Sequence, residues 1–176
     1  LLGTISFMRN SRPDSPHDVR IVLVRPRNPL NLLAAARAAA NFGFEDIVVV
    51  SPHQPIWAEA RAASGAKLWL RHVRLAATLP EAIEDRNWVL GTSCLARRRM
   101  AEPNRVISLD RVIATAARAK ARDHIAILFG SEKRGLANAE LVLCHAVVRI
   151  PTSEEIPSMN LGQAVAVCCY ELRRWV

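Results

Sequence analysis

One arginine interrupts an apolar helical pattern near the start of the chain. The segment NPLNLLAAARAAANF predicts a helix over Asn31–Phe42, capped by Asn28 or Asn31, with alanine or leucine on nearly every face. Such a helix is buried, so the charge of Arg37 within it must be matched or solvated. The spacing is compatible with two roles for Arg37: a structural ion pair with an acid elsewhere, or contact with a phosphate or a reacting hydroxyl.

Small residues and a basic triplet follow a second apolar run, WVLGTSCLARRRM. The small residues GTS at 91–93 allow backbone groups to approach a ligand closely where the strand ends. Arg97, Arg98 and Arg99 can offer cations to phosphates, although a solvated basic loop explains the triplet equally well.

A third segment, IAILFGSEKRGLANAEL, predicts a strand, a glycine turn and a helix start. It contains G-x-x-x-x-G, but Leu136 and Ala137 stand where a P-loop needs lysine and serine or threonine, which argues against a nucleotide triphosphatase. The chain has no G-x-G-x-x-G either, which argues against a dinucleotide site. Glu132 is compatible with a local salt bridge to Lys133 or Arg134, or with an acid placed for a polar ligand.

The fourth segment, VVRIPTSEEIPSMNLGQAVAVCCYELRRW, predicts a strand that ends near Ile150, a polar loop and a closing helix from Asn160 onward. Ser158 falls at the end of this loop. It is compatible with a simple helix N-cap or with a polar group that serves a ligand.

Elements that alternate between strand and helix must position these segments. A mobile arm is predicted over residues 1–18, followed by one α/β domain over 19–176 with a mostly parallel sheet flanked by helices. In such sheets ligands bind outside the carboxyl ends of the strands, which is where the segments above fall. The predicted strands are Ile21–Val24, Ile47–Val50, Trp88–Leu90, Ile125–Phe129 and Ala146–Ile150. Besides the first and last helices, the predicted helices are Ile56–Ala63, Leu79–Ile83 and Leu109–Ala121.

The composition limits the classes of partner that the chain is expected to bind. The net charge of +8 favours a polyanion, either nucleic acid or an anionic membrane surface. Since no apolar run approaches about 20 residues, we expect no membrane span, and no basic amphipathic helix supports membrane binding. The cysteines lack C-x-x-C pairing, so we expect buried thiols in a cytoplasmic protein rather than a metal site or disulfides.

Taken in order, three motifs resemble the SPOUT superfamily, specifically its TrmH-like RNA 2′-O-ribose methyltransferases and most closely the TrmJ type, which methylates tRNA in the anticodon loop. They are NPLNLLAAARAAANFGF, ILFGSEKRGL and IPTSEEIPSMNLGQAVAVCCYEL, and the similarity runs from about Ile21 to the last residue. One departure is Leu33, where the family often has glycine; we expect its side chain to narrow the approach of RNA.

The resemblance implies a C-terminal trefoil knot, a homodimer, S-adenosylmethionine as methyl donor, no metal, and RNA as substrate. It assigns catalysis to Arg37, Ser158 and Asn160. RNA contacts are predicted for Asn31, Arg37 and the arginine triplet 97–99. The cofactor-binding residues that it implies are Thr92, Ser93, Cys94, Gly130, Glu132, Ile150, Pro157, Ser158 and Met159.

Two alternatives stay open on the sequence. One is a 2′-O-methyltransferase of the same superfamily that acts on rRNA or on the tRNA wobble nucleotide. The other is a non-catalytic RNA-binding module with this fold.

Overall fold

The computed structural model describes residues 18–63, 65–94, 105–112, 114 and 124–174. Residues 1–17 of the predicted arm lie outside these ranges, and the first strand already begins at Asp18. The strands are β1 (Asp18–Val24), β2 (Ile47–Val50), β3 (Val73–Ala76), β4 (Trp88–Thr92), β5 (Arg105–Ser108), β6 (His124–Phe129) and β7 (Ala146–Arg149). The helices are α1 (Pro29–Asn41), α2 (Gln54–Ala62), α3 (Ala66–Leu70), α4 (Leu79–Ile83), α5 (Asn138–Leu141) and α6 (Leu161–Arg173), with a 3-10 turn over Leu109–Arg111.

The strands of the described ranges form one seven-stranded sheet in the order β3-β2-β1-β6-β4-β7-β5, and every pair of neighbours is parallel. This confirms the predicted α/β fold with a parallel sheet flanked by helices. Because all strands run the same way, the segments that follow β1, β4, β6 and β7 leave from the same edge of the sheet.

Both faces of the sheet are covered. Ile21 and Leu23 of β1 point to the side that α1, α2, α3 and α6 cover, whereas Val22 and Val24 point to the side of α4 and α5. This alternation is the two-residue period of a strand that is buried on both faces. It explains why the central strands read as continuous aliphatic runs that are visible in the sequence.

Two edge strands, β3 and β5, and the short helix α3 were not predicted, whereas α5 forms at the predicted helix start after the glycine turn. β3 has the sequence VRLA, with only Ala76 buried, and β5 has the sequence RVIS. Each pairs with a single neighbour, so neither needs the aliphatic run that marks a central strand. The predicted helix 109–121 begins as the 3-10 turn, and most of its remaining length lies outside the described residues.

An ion cluster closes the amino edge of the sheet. The Arg20 side chain, which is 7% exposed, donates to Asp46 at 2.8 Å and to Asp85 at 2.6 Å. Hydrogen bonds from Arg86 and Arg20 hold the pKa of Asp85 far below its usual range. These contacts tie the β1 and β2 starts to the α4–β4 connection. Catalytic candidates are absent from this edge of the described structure, so the cluster is a structural feature.

Candidate functional site

A cavity of about 300 Å³ lies at the carboxyl edge of the sheet, where β4, β6 and β7 end. We call it the carboxyl-edge cavity. All nine residues that the resemblance assigned to a cofactor line it: Thr92, Ser93, Cys94, Gly130, Glu132, Ile150, Pro157, Ser158 and Met159. They lie up to 67 positions apart in the chain, from Thr92 to Met159, and the parallel sheet brings them together.

The end of β4 is held by both of its neighbours. The Thr92 hydroxyl donates to the carbonyl of Leu128 in β6 at 2.9 Å, and the Ser93 N–H donates to the carbonyl of Val148 in β7 at 3.1 Å. Gly91, in contrast, serves packing and does not line the cavity. A Cβ atom there would lie 2.9 Å from the Cys144 sulfur, so the glycine makes room for the far face of the sheet.

The loop after β6 folds back tightly on its own start. Ser131 accepts a hydrogen bond from the Gly135 N–H at 2.7 Å, and Gly135 has a φ of +64°. A Cβ atom on Gly130 would lie 2.0 Å from the carbonyl carbon of Gly135, which is too close for any residue other than glycine. The glycine pair is therefore required for the turn that carries Glu132.

Glu132 connects this loop to the start of α1. Its carboxylate accepts hydrogen bonds from the N–H groups of Arg27 at 2.9 Å and Asn28 at 3.2 Å, and from the Asn31 amide at 3.0 Å. Burial raises the pKa of Glu132, but these hydrogen bonds outweigh it and the net pKa is lowered. No salt bridge to Lys133 or Arg134 is found in the described structure, so the local ion pair that the sequence allowed is not formed.

Asn160 extends the same connection to α6. Its Oδ1 accepts from the Gly162 N–H at 2.9 Å, which makes Asn160 the N-cap of the helix, and its Nδ2 donates to Oδ1 of Asn31 at 2.8 Å. The simple N-cap interpretation of Ser158 is therefore wrong. We call the chain of side chains from Asn160 through Asn31 to Glu132 the asparagine bridge.

Chemistry alone determines the amide orientations in the asparagine bridge. An ionised Glu132 can only accept, so Asn31 must present its NH₂ group to it and its oxygen to Asn160. Asn160 must then donate to Asn31 and cap Gly162 with its oxygen. Each member has one arrangement that satisfies all of its partners, so the bridge holds α1, α6 and the β6 loop in one geometry.

Arg37 is not among the residues that line the carboxyl-edge cavity of its own chain. Helix α1 exposes the stripe Leu30, Ala34 and Arg37, and the Arg37 guanidinium stacks 5.0 Å above the centre of the Trp69 ring of α3. The predicted burial of α1 on nearly every face is wrong at this stripe, because alanine is compatible with both buried and exposed faces. No salt bridge joins Arg37 to the residues described, so the core ion pair that the sequence allowed is also not formed.

Other predicted residues divide into three groups. The Leu33 side chain was expected to narrow the approach of RNA. It is 6% exposed and packs in the core, so it does not project from the surface of the described structure. The arginines at 97–99 lie outside the described residues. Cys144, Cys168 and Cys169 are buried as expected, whereas Cys94 is exposed at the cavity.

Further lining residues were missed by sequence reasoning. Thr152 donates to the carbonyl of Pro157 at 3.1 Å and so closes the loop that presents Ser158. Lys133 and Arg134 add cations to the rim. Their signal was position alone: each lies within a few residues of a predicted strand end, in a loop already singled out.

The cavity suits a molecule that is partly apolar and partly polar. Ile150, Met159 and Leu161 provide apolar wall, and hydroxyl and backbone groups of the three strand ends provide polar contacts. Within residues 18–63, 65–94, 105–112, 114 and 124–174, no three metal-ligating side chains converge. The same ranges contain no helix with the length and hydrophobicity needed to cross a membrane.

Comparisons with known proteins agree on one family. The profile of the SpoU rRNA Methylase family matches residues 18–170. The chain is 38% identical over 161 residues to the tRNA (cytidine/uridine/adenosine-2'-O-)-methyltransferase TrmJ of Pseudomonas aeruginosa, covering 88% of this chain and 60% of the relative. It is 37% identical over 155 residues to the tRNA (cytidine-2'-O-)-methyltransferase TrmJ of Methanocaldococcus jannaschii, covering 88% and 66%.

Among solved structures, TrmJ from Z. mobilis ZM4 superposes with a TM-score of 0.73 at 31% identity, covering 88% of this chain and 68% of that one. The chain thus spans about three fifths to two thirds of the length of these relatives.

Proposed function

The chain belongs to the SpoU rRNA Methylase family, and from this membership we propose that it transfers a methyl group from S-adenosylmethionine to a ribose 2′-hydroxyl of tRNA. The observation that carries the proposal is the carboxyl-edge cavity, which collects the residues implied for the donor from three segments of the chain. The relatives named as tRNA 2′-O-methyltransferases support the substrate class.

In this proposal the cavity holds the donor between an apolar wall and the strand ends. Ile150 and Met159, which line the cavity, would contact its apolar parts, and backbone groups around Thr92 and Gly130 would bind its polar edges. Lys133 and Arg134 at the rim are suited to an anionic group. The donor supplies a sulfonium-bound methyl group that is already an activated electrophile, so the transfer does not depend on a metal ion.

The difficult reactant is the ribose hydroxyl, a weak nucleophile at neutral pH. Its oxygen forms a bond to the methyl carbon while the carbon–sulfur bond breaks, and the hydroxyl proton leaves to an RNA phosphate or water. Arginine is too strong a base to be found deprotonated, so Arg37 orients the hydroxyl and stabilises developing negative charge together with an RNA phosphate. Ser158 and Asn160 hold the ribose in line with the methyl group.

Since Arg37 does not line the cavity of its own chain, we infer that it acts in the cavity of a second copy, in a homodimer. The exposed stripe of α1 leaves the guanidinium accessible, and its stacking on Trp69 restricts its direction. One active site then combines Ser158 of one protomer with Arg37 of its partner.

Complementation tests this arrangement. Arg37→Ala and Ser158→Ala should each abolish methyl transfer, and Arg37→Ala should retain donor binding. When the two variants are co-expressed, half of the dimers are mixed and each has one intact site, so activity should return to about a quarter of wild type. Persistent inactivity of the mixed dimers would place both residues in one protomer, and substantial turnover by Arg37→Ala alone would refute its catalytic role.

Mass spectrometry of tRNA that has been incubated with the protein and S-adenosylmethionine tests the reaction and maps the nucleotide. We expect a new 2′-O-methyl group in the anticodon loop. Calorimetry with S-adenosylmethionine separates this proposal from a non-catalytic RNA-binding module, because such a module need not bind the donor.

We also propose that the C-terminal part of the chain is knotted. Strand β7 lies between β4 and β5, which both precede it in the chain, so the segment after β7 leaves from within the sheet. Threading of that segment through an earlier loop is an exception to the usual rules of chain topology. An experimental structure that traces residues 95–104 and 115–123 would test it.

A further inference from the structure

A second cavity, of about 670 Å³, opens at the same edge of the sheet, beyond the ends of β1 and β2. We call it the basic groove. Arg25, Arg27 and Arg134 line it together with His53, Ser51 and neutral neighbours, and no carboxylate lines it among the residues that the structure describes. A concave surface with an excess of positive charge attracts anions.

The three arginines of the groove differ in their ion pairs: Arg25 is paired with a carboxylate, and Arg27 and Arg134 have no salt bridge in the described structure. In the described structure no salt bridge involves Arg27 or Arg134, so their charges are available to a ligand. Arg25 is paired with Glu140, a carboxylate that is 9% exposed and also accepts from the Ala137 N–H. This pairing holds the Arg25 side chain in place, and the charges of Arg27 and Arg134 leave the groove with an excess of positive charge.

The backbone at the groove is in a conformation that side chains rarely adopt. Arg25 and Ser51 follow the neighbouring strands β1 and β2, and their φ angles are +49° and +45°. Apart from glycines, these are the positive φ angles found within the described ranges. Such conformations persist where surrounding structure enforces them, and they concentrate at functional sites.

The basic groove adjoins the carboxyl-edge cavity. Ser131, Arg134 and Gly135 line both. The groove is therefore next to the place where the ribose of a bound nucleotide would lie. We propose that the basic groove binds backbone phosphates of the substrate RNA next to the nucleotide that is methylated. This inference rests on the proposed function and adds a binding site to it.

The test compares single arginine substitutions in the full chain. Arg27→Gln removes a groove charge, and the bond from the Arg27 backbone N–H to Glu132 is unaffected by the change of side chain. Arg74→Gln is the matched control, because Arg74 is an exposed arginine on edge strand β3 that pairs with Asp46 at the amino edge. Thermal unfolding checks that both variants are folded, and Arg134→Gln provides a second groove variant.

Binding of an unmodified tRNA transcript is measured against NaCl concentration. We expect Arg27→Gln to weaken tRNA binding about fivefold to tenfold. The slope of the logarithm of the binding constant against the logarithm of the salt concentration should become less steep by about 0.7 to 0.9, as for the loss of one phosphate contact. S-adenosylmethionine affinity, measured by calorimetry, should be unchanged in this variant. Arg74→Gln should differ little from wild type in either measurement.

The inference is overturned if Arg27→Gln and Arg134→Gln bind the transcript with the affinity and salt slope of the control. It is also overturned if Arg27→Gln loses donor affinity but keeps tRNA affinity, because the groove would then serve the donor. Since binding does not need turnover, a wild-type protein that binds tRNA without methylating it would contradict the proposed function but leave this test intact.

Discussion

The asparagine bridge makes a prediction whose size can be worked out from three hydrogen bonds. In Asn160→Asp the introduced carboxylate still caps Gly162, since aspartate and asparagine are equivalent N-caps, but it cannot donate to Asn31. Asn31 cannot compensate by turning its amide, because its oxygen would then face the Glu132 carboxylate. One contact is lost in either orientation.

The expected cost of Asn160→Asp is about 1 kcal/mol, the value of one such hydrogen bond. Asn160→Ala also loses the cap, which adds about 1 kcal/mol and brings the total to about 2 kcal/mol. For a chain of 176 residues, these costs lower the Tm by roughly 2–4 °C and roughly 4–8 °C. Thermal and urea unfolding of both variants measure them.

A double-mutant cycle with Asn31→Ala isolates the contact between the two asparagines. Without its Asn31 partner, Asn160→Asp has no donor bond to lose, so its cost should fall to near zero. Any effect of the new charge on the α6 dipole is present in both backgrounds and cancels. If Asn160→Asp costs the same in both, the two asparagines are not coupled and the bridge does not hold α1 to α6.

Three further changes test the rest of the structure. Gly130→Ala places a Cβ atom 2.0 Å from backbone, so calorimetry should show S-adenosylmethionine affinity reduced about tenfold or more; unchanged affinity would contradict the tight turn. Because folding lowers the pKa of Glu132, its carboxylate stabilises the folded state. This contribution to the free energy of unfolding is complete at pH values above the usual pKa of 4.5 and is lost as the pH falls through the lower pKa of the folded protein. The difference in free energy of unfolding between wild type and Glu132→Gln, measured with urea, should therefore shrink from about pH 6 to about pH 3. A difference that grows toward acidic pH would show that folding raises the pKa of Glu132 instead of lowering it. Arg20→Ala removes one of the two buried arginines that pair with Asp46 and Asp85, the other being Arg86, and should cost about 3 kcal/mol in thermal unfolding. A cost below about 1 kcal/mol would mean that Arg20 is dispensable to the amino-edge cluster.

Much of the fold could be predicted from local patterns. The five central or near-central strands were predicted because burial on both faces demands continuous aliphatic residues, and the edge strands β3 and β5 were missed because they do not meet that demand. The loops of the carboxyl-edge cavity were also predicted, since the carboxyl ends of parallel strands share one edge of the sheet.

By itself, then, the sequence determined which segments become strands and which loops carry polar chemistry, because these properties depend on neighbours along the chain. Tertiary structure alone decided that Asn160 contacts Asn31, that Glu132 binds the start of α1, and that Arg37 stacks on Trp69 instead of lining the cavity of its own chain. Those contacts join side chains about a hundred positions apart, or depend on which stripe of an alanine-rich helix a neighbour covers. Amides and alanines are compatible with either environment, so only the packing of α1 against α6 and the sheet selects the partners.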